Sequence, residues 1–137
     1  MLEELTIEVY WLVLTILMTA LMWMPYIVNR IAEMGVVPAF MDPYGLTEAK
    51  AAWANRMMAA HVNAVENLVI FAALVIILNL SGISTALTVF ASALYFFSRL
   101  AHVVLFTFRT PVLRIVAFFG GFIAQMILAF TLLGWIS

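Results

Sequence analysis

Three long stretches of this sequence contain no aspartate, glutamate, lysine or arginine: residues 9–29, 67–98 and 115–137. About 20 apolar residues cross the hydrocarbon core of a bilayer, so the first and last stretches each suit one membrane-spanning helix and the middle stretch suits more than one. The composition agrees, because 67% of residues are hydrophobic and only 9% are charged, whereas a soluble domain carries about 25% charged residues. The sequence therefore predicts an integral membrane protein.

Several classes of protein and of site are disfavoured at once. The residues before the first apolar stretch are acidic (Glu3, Glu4 and Glu8), whereas a secretory signal peptide begins with positive charge, so this stretch is expected to remain as a helix. The chain has no cysteine, which excludes disulfides, thiolate metal sites and a cysteine nucleophile. No basic cluster suggests nucleic acid as a partner.

We predict an all-α bundle of four transmembrane helices, which together form a single domain over residues 1–137. The predicted helices cover approximately residues 6–31, 47–80, 84–108 and 111–136. Pro25 is expected to bend the first helix, because proline donates no backbone hydrogen bond, and Thr47 is expected to cap the second. Tight turns are predicted at residues 79–84 and 109–111, where Gly82 and Pro111 interrupt the apolar pattern.

The cationic side chains indicate the orientation in the membrane. Arg30, Lys50, Arg56, Arg109 and Arg114 fall at the end of the bundle that carries the first and third connections, whereas both termini and the second turn have no lysine or arginine. Cytoplasmic loops are enriched in these residues, so we expect both termini to lie on the non-cytoplasmic side.

Polar residues recur at helical spacing inside the apolar stretches. Arg56, Asn63 and Glu66 share one face of the second helix, and Arg99 and His102 share one stripe of the third. Charges at membrane depth cost about 2.5–3.5 kcal/mol each, so Glu66 and Arg99 are expected to face the bundle interior. One interpretation is that they pair and fix helix packing.

The alternative is an anionic ligand, because one acid cannot neutralise several arginines, and arginine suits bidentate recognition of carboxylates. A metal site is not expected, since two histidines and one glutamate lack the paired spacing of a helical metal site. His61 points away from the polar face, and we expect it at a subunit contact or a membrane interface.

Three segments carry a family resemblance: NRMMAAHVNAVENLVIF in the second helix, FFSRLAHVVLF in the third and RTPVLRIVAF at the start of the fourth. They resemble the MAPEG family, the membrane-associated proteins of eicosanoid and glutathione metabolism, and the four-span layout extends this likeness over essentially the whole chain. The most specific part is an arginine seven residues before an asparagine that lies three before a glutamate, here Arg56, Asn63 and Glu66.

The resemblance implies a homotrimer in a membrane. The compact chain without a retention signal suggests a bacterial-type member in a bacterial inner membrane, and an endomembrane location would fit the same topology. It implies active sites between subunits that bind glutathione as co-substrate and admit a lipophilic substrate from the bilayer lipids. The implied activity is that of a glutathione-dependent transferase or peroxidase acting on lipophilic electrophiles or lipid hydroperoxides.

The resemblance also assigns residues. Asn63 and Glu66 would hold the peptide backbone and amino group of glutathione, while Arg30 and Arg56 would meet its carboxylates. Arg99 and His102 would line the same pocket. The arginine that stabilises the thiolate would be Arg114, with Arg109 as the competing alignment.

The chain departs from the family pattern at three positions. Ala59 replaces an arginine, and Phe106 and Phe118 stand where family enzymes carry aromatic hydroxyls. These losses favour a second hypothesis, a non-catalytic lipid-binding or scaffold protein with the same fold. A small transporter is a weaker third, because only Pro25 interrupts a predicted helix and no inverted repeat is visible.

Overall fold

The structure, a computed structural model, describes residues 5–42, 45 and 47–137. In these ranges the chain forms α1 (Ile7–Leu21), α2 (Trp23–Met34), α3 (Val36–Phe40), α4 (Ala52–Leu80), α5 (Ala86–Thr107) and α6 (Pro111–Leu132). Four segments are long and apolar enough to cross a membrane: Ile7–Met34, Ala52–Leu80, Ala86–Thr107 and Pro111–Leu132. The predicted all-helical membrane fold with four spanning segments is confirmed.

The first span is interrupted at Met22, between α1 and α2. Pro25 has no N–H group to donate to the carbonyl of Leu21, four residues earlier, so the regular hydrogen-bond ladder cannot continue through this point. The Met22 N–H instead donates to the Thr19 carbonyl at 3.3 Å, a shorter-range bond than that of an α-helix. The structure thus interrupts the first span one turn before Pro25, in the region where the sequence predicts a bend.

The start of the second span differs from the prediction. α4 begins at Ala52 with Ala51 as its N-cap residue, and no side chain caps it, so the prediction that Thr47 caps this helix is wrong. The N–H groups of Lys50 and Ala51 each donate to the carboxylate of Glu33 at 2.9 Å. A carboxylate on α2 therefore satisfies these donors, and the helix begins only at Ala52.

The centre of the bundle is apolar and closely packed. The rings of Phe71 on α4 and Tyr95 on α5 stack with their centroids 3.8 Å apart. Further buried side chains complete this core: Leu12, Val75, Leu78, Ala91, Ala124 and Leu128.

Two glycines allow α6 to approach α5 closely. A Cβ atom at Gly120 would lie 2.5 Å from Ser98 Oγ, and one at Gly121 would lie 3.3 Å from Arg99 Cδ. Small residues at a helix contact permit such close approach in membranes. Gly121 therefore leaves the space in which the long side chain of Arg99 lies inside the bundle.

A buried carboxylate joins α1 to α5 at the end of the bundle that holds the α4–α5 turn. Glu8 is 2% exposed and accepts hydrogen bonds from the hydroxyls of Ser84 and Thr88. Thr88 and Thr85 also form a capping box at the start of α5. A carboxylate is favourable beside the positive end of a helix, so this cluster fixes α1 against the first turn of α5.

Candidate functional site

The opposite end of the bundle, where α2 leads to α4 and α5 turns into α6, carries five of the chain's six cationic side chains. We call it the cationic end and define it by Arg30, Lys50, Arg56, Arg109 and Arg114. The sixth cation, Arg99, lies deeper, two turns before the end of α5.

Arg99 is 1% exposed, and its Nη2 atom donates to Asn63 Oδ1 on α4 at 2.6 Å. Its Nε and Nη1 atoms are buried and have no hydrogen-bond partner among the described residues. The prediction that Arg99 faces the bundle interior is correct, but Asn63 rather than Glu66 contacts it.

His102 lies one turn further along α5 and is 4% exposed. Its Nδ1 atom also lacks a partner within the described part of the chain. The ring centroids of Phe106 and Phe118 lie 5.5 and 6.1 Å from that of His102, and the guanidinium carbon of Arg114 lies 4.3 Å from the centroid of the Phe106 ring. The structure therefore brings Arg99, His102 and Arg114 together, as the spacing along α5 and α6 suggests.

Arg114 is half-buried on the first turn of α6. Its guanidinium carbon lies 4.3 Å from the centroid of the Phe106 ring. A guanidinium over an aromatic face is attracted by the ring quadrupole. Phe106, which the sequence marks only as a lost hydroxyl, thus positions the charge of Arg114; its four-residue spacing from His102 was the available sequence signal.

Arg56 donates from Nε to the carbonyl of Thr107, the last residue of α5, at 2.8 Å. A cation is favourable at the negative end of a helix, so Arg56 ties the start of α4 to the end of α5. The Thr107 hydroxyl is buried and without a partner among the described residues. Arg109 follows in the turn with a φ of 57° and an exposed side chain.

Arg30 lies apart from this group. Its Nη1 atom forms an ion pair with Asp42 at 2.7 Å, and Nη2 donates to the Thr47 carbonyl at 3.2 Å. The side chain is 6% exposed. Arg30 therefore holds the α2–α4 connection, and the structure does not bring it to Arg99 or Arg114.

Glu66 is exposed on the outer surface of α4. The prediction that it faces the bundle interior is wrong, because the helix turns Asn63 towards α5 and leaves Glu66 on the adjoining face. There it lines a shallow groove of about 250 Å³ with His61, Val62 and Val65. His61 itself is held by Tyr26, whose hydroxyl lies 2.6 Å from His61 Nδ1, a contact between α2 and α4 that the sequence did not indicate.

The balance of charge at this end is positive. Arg56, Arg99, Arg109 and Arg114 form no ion pair with a described residue. Within the described ranges no group of three histidine, aspartate or glutamate side chains is placed to hold a metal ion. The arrangement can therefore bind an anion with arginine, asparagine and histidine donors.

Comparison with known families decides the affiliation of this four-span bundle. The MAPEG family model matches residues 9–134, nearly the whole chain. The chain belongs to the MAPEG family. No curated protein and no solved structure gives a significant match. The MAPEG family includes glutathione transferases and peroxidases, and its members commonly use glutathione.

Proposed function

We propose that this MAPEG protein is a membrane-bound glutathione-dependent transferase or peroxidase that acts on lipophilic electrophiles or lipid hydroperoxides. The observation that carries the proposal is the excess of arginine around His102, with no described carboxylate paired to it. Glutathione brings two carboxylates and a thiol, which are the groups that such donors stabilise. Its carboxylates would supply ion-pair partners to arginines that form none with a described residue.

Arg114 is the residue we propose beside the sulfur. The thiolate is the nucleophile, and a neighbouring guanidinium favours it over the thiol. The thiolate would then attack an electrophilic carbon and displace its leaving group, which gives a thioether. With a hydroperoxide it would attack the outer oxygen and break the O–O bond, which releases the alcohol, and a second glutathione would convert the resulting sulfenic acid to the disulfide and water. Arg109 is the alternative, although its exposed position in the turn makes it better placed for a carboxylate at the mouth of the site.

Glu66 supports the proposal that the site is completed between subunits of a homotrimer. An ionised carboxylate exposed on the surface of a membrane-spanning helix costs about 2.5–3.5 kcal/mol, and a neighbouring copy that covers α4 removes this exposure. Gln125 on α6 donates to the Asn67 carbonyl on α4, so these two residues lie at the same depth in the bundle. Counting back along the two helices, Arg114 lies about ten residues, or roughly 15 Å, nearer the cationic end than Glu66. An extended tripeptide spans about 10 Å, and the arginine side chain covers the rest.

In this proposal Glu66 of one copy binds the amino group of glutathione, Asn63 its backbone, and Arg114 of the adjoining copy its sulfur. Arg56 and Arg30 are the proposed partners of the carboxylates, with Arg99 and His102 behind them. Arg30 is the least supported of these, because Asp42 already neutralises it within the subunit.

A lipophilic co-substrate has a candidate entry between α2, α4 and α5. A groove of about 420 Å³ lies there with an almost wholly apolar lining: Pro25, Trp53, Met57, Val103, Val104, Thr107 and Phe108. Its lining belongs to helices that are long and apolar enough to span a membrane, so in this proposal it opens to the lipid chains. This groove supports a substrate that arrives from the bilayer rather than from water.

The orientation that we propose places both termini outside the cytoplasm of a bacterial inner membrane, because the cationic end then faces inwards. The chain lacks cysteine, so a single Ser137→Cys substitution gives a unique label. In intact cells a membrane-impermeant maleimide should label this variant, and labelling only after lysis would reverse the orientation.

The function is tested by thiolate difference absorbance on the purified protein titrated with glutathione at neutral pH. We expect a saturable signal that Arg114→Ala abolishes and that Arg109→Ala retains with weaker binding. Glu66→Gln should weaken binding without removing the signal at saturation. No binding by the unaltered protein would refute the proposal.

The second candidate function is a non-catalytic lipid-binding or scaffold protein of the same fold. Phe106 and Phe118 favour it, because neither offers a hydroxyl to glutathione or its sulfur. It predicts that a fluorescent fatty acid binds equally well with and without glutathione, and that the thiolate titration stays flat.

A further inference from the structure

Arg99 lies beneath Asn63 rather than at the open surface of the site. Its side chain is 1% exposed and passes the backbone of Gly121, where no Cβ atom occupies the space. The groove lined by Pro25 and the groove lined by Glu66 do not include Arg99 in their lining. A ligand at the surface of α4 would therefore meet Asn63 and not Arg99.

The contact between the two residues determines which way the Asn63 carboxamide faces. A guanidinium is only a donor, whereas a carboxamide has an acceptor oxygen and a donor nitrogen. The atom 2.6 Å from Arg99 Nη2 is accordingly Asn63 Oδ1. Turning the carboxamide over would set two donors against each other.

Asn67 reinforces the same orientation from the next turn of α4. Its Nδ2 atom donates to the Asn63 carbonyl at 2.9 Å and lies 3.4 Å from Asn63 Oδ1. Oδ1 thus receives both donors, and Asn63 Nδ2 remains as the free donor of this partly buried side chain, with no acceptor in the described part of the chain.

We propose that Arg99 is a positioning residue: it holds Asn63 Oδ1 so that Asn63 Nδ2 is presented to a carboxylate or amide oxygen of glutathione. This inference rests on the proposed function and refines the direct contact that the family resemblance implies for Arg99. The charge of Arg99 also polarises the amide, because hydrogen bonds from a cation are stronger than neutral ones. Without Arg99 only the longer contact with Asn67 restrains the carboxamide, and turned-over orientations that offer its oxygen to an anion become accessible.

A purely structural role does not account for an arginine at this position. Two of its three nitrogens have no partner among the described residues, so its desolvation is poorly offset, and an apolar side chain of similar length would pack with less cost. The single strong bond that Arg99 makes is the one that orients Asn63.

The first part of the test needs no ligand. The full chain is labelled with ¹⁵N at asparagine side chains, placed in lipid nanodiscs, and compared as unaltered protein, Arg99→Met, Arg99→Lys, Asn63→Asp and Ser92→Ala. Asn63→Asp identifies the Asn63 amide signals by their loss. We expect a rigid Asn63 carboxamide, seen as a high ¹⁵N order parameter, that Arg99→Met lowers and Arg99→Lys largely preserves. Ser92→Ala is the matched control, because Ser92 is buried on α5 but bonds to its own helix.

The second part measures glutathione binding by thiolate absorbance on the same samples. Arg99→Met should weaken binding about tenfold, as expected for a difference near 1.4 kcal/mol, with the thiolate signal unchanged at saturation because Arg114 is intact. Asn63→Asp should keep its thermal midpoint, since an aspartate still pairs with Arg99, and yet lose binding at least tenfold.

The outcomes separate this inference from the proposed function. If the unaltered protein binds glutathione and Arg99→Met changes neither the Asn63 order parameter nor the affinity, the positioning role is overturned. The same holds if Asn63→Asp binds like the unaltered protein. If the unaltered protein fails to bind while Arg99→Met still frees the amide, the glutathione function is overturned and the orientation of Asn63 by Arg99 stands.

Discussion

The two ends of this bundle treat buried polar groups in opposite ways. At the end with the α4–α5 turn, Glu8 is almost fully buried and its carboxylate accepts from the hydroxyls of Ser84 and Thr88. Towards the cationic end, Arg99 and His102 are equally buried, yet three of their nitrogen atoms have no partner among the described residues.

This difference distinguishes buried polar groups that have a structural role from buried polar groups that serve a functional site. Most buried polar groups in proteins are hydrogen-bonded, so a group that the fold satisfies needs nothing further, as with Glu8. Groups that the fold leaves unsatisfied, as with Arg99 and His102, are expected to serve a site: they meet a ligand, water or another subunit, or they orient a neighbouring side chain that does. We therefore expect substitutions at the two ends to separate stability from glutathione chemistry.

The largest expected effect is that of Arg114→Ala on catalysis. Loss of a donor that stabilises developing charge typically costs about 10²–10³ in rate, so kcat/KM towards a lipophilic electrophile should fall by about two orders of magnitude. Steady-state kinetics in nanodiscs measures it, with Glu8→Ala as the comparison from the opposite end. If Glu8→Ala reduced kcat/KM as much without unfolding the protein, the separation between the ends would be lost.

Glu8→Ala should instead lower stability. Removing a buried acceptor costs about 1–3 kcal/mol, and here the contact between α1 and α5 depends on it. Thermal unfolding in detergent should show a lower midpoint, while the thiolate signal at saturating glutathione stays within about twofold of the unaltered protein. Glu48→Ala is the control, since Glu48 is exposed; equal midpoints for the two variants would contradict the structural role of Glu8.

Phe118→Tyr sharpens the comparison by adding a hydroxyl near the cationic end, where buried polar groups lack hydrogen-bond partners. Phe118 lies beside His102, so a tyrosine hydroxyl there gains access to an unpartnered imidazole nitrogen or to glutathione. One additional hydrogen bond contributes about 0.5–1.5 kcal/mol, and we expect glutathione affinity to rise by roughly two- to tenfold. Phe119→Tyr is the matched control, because Phe119 is 53% exposed on the outer surface of α6 and should leave affinity unchanged.

The 3.6-residue period of the helix explains how much of the fold and of the candidate site could be predicted from the sequence. Uncharged stretches and two tight turns are enough to predict four spans, and spacings of three and four residues place Arg99, His102 and Phe106 on one stripe. The same period leaves the rotation of α4 open: Asn63 and Glu66 lie about 60° apart on a helix, and either one could have met α5. The start of α4 depends on Glu33, a residue distant in sequence whose carboxylate takes up the donors of Lys50 and Ala51, which no local pattern reveals.

The smallest expected effect concerns Tyr26, whose hydroxyl contacts His61 between α2 and α4. This pair resembles the Glu8 cluster in being satisfied within the subunit, but it adjoins the groove that holds Glu66. If it is structural, Tyr26→Phe costs about 0.6 kcal/mol, the average for a hydrogen bond between membrane helices, and glutathione affinity stays the same. Tyr10→Phe, at an exposed tyrosine of α1, controls for the loss of a hydroxyl. A fall in affinity with an unchanged thermal midpoint would instead place Tyr26 and His61 in the glutathione site, and the site would then extend along α4 to Glu66.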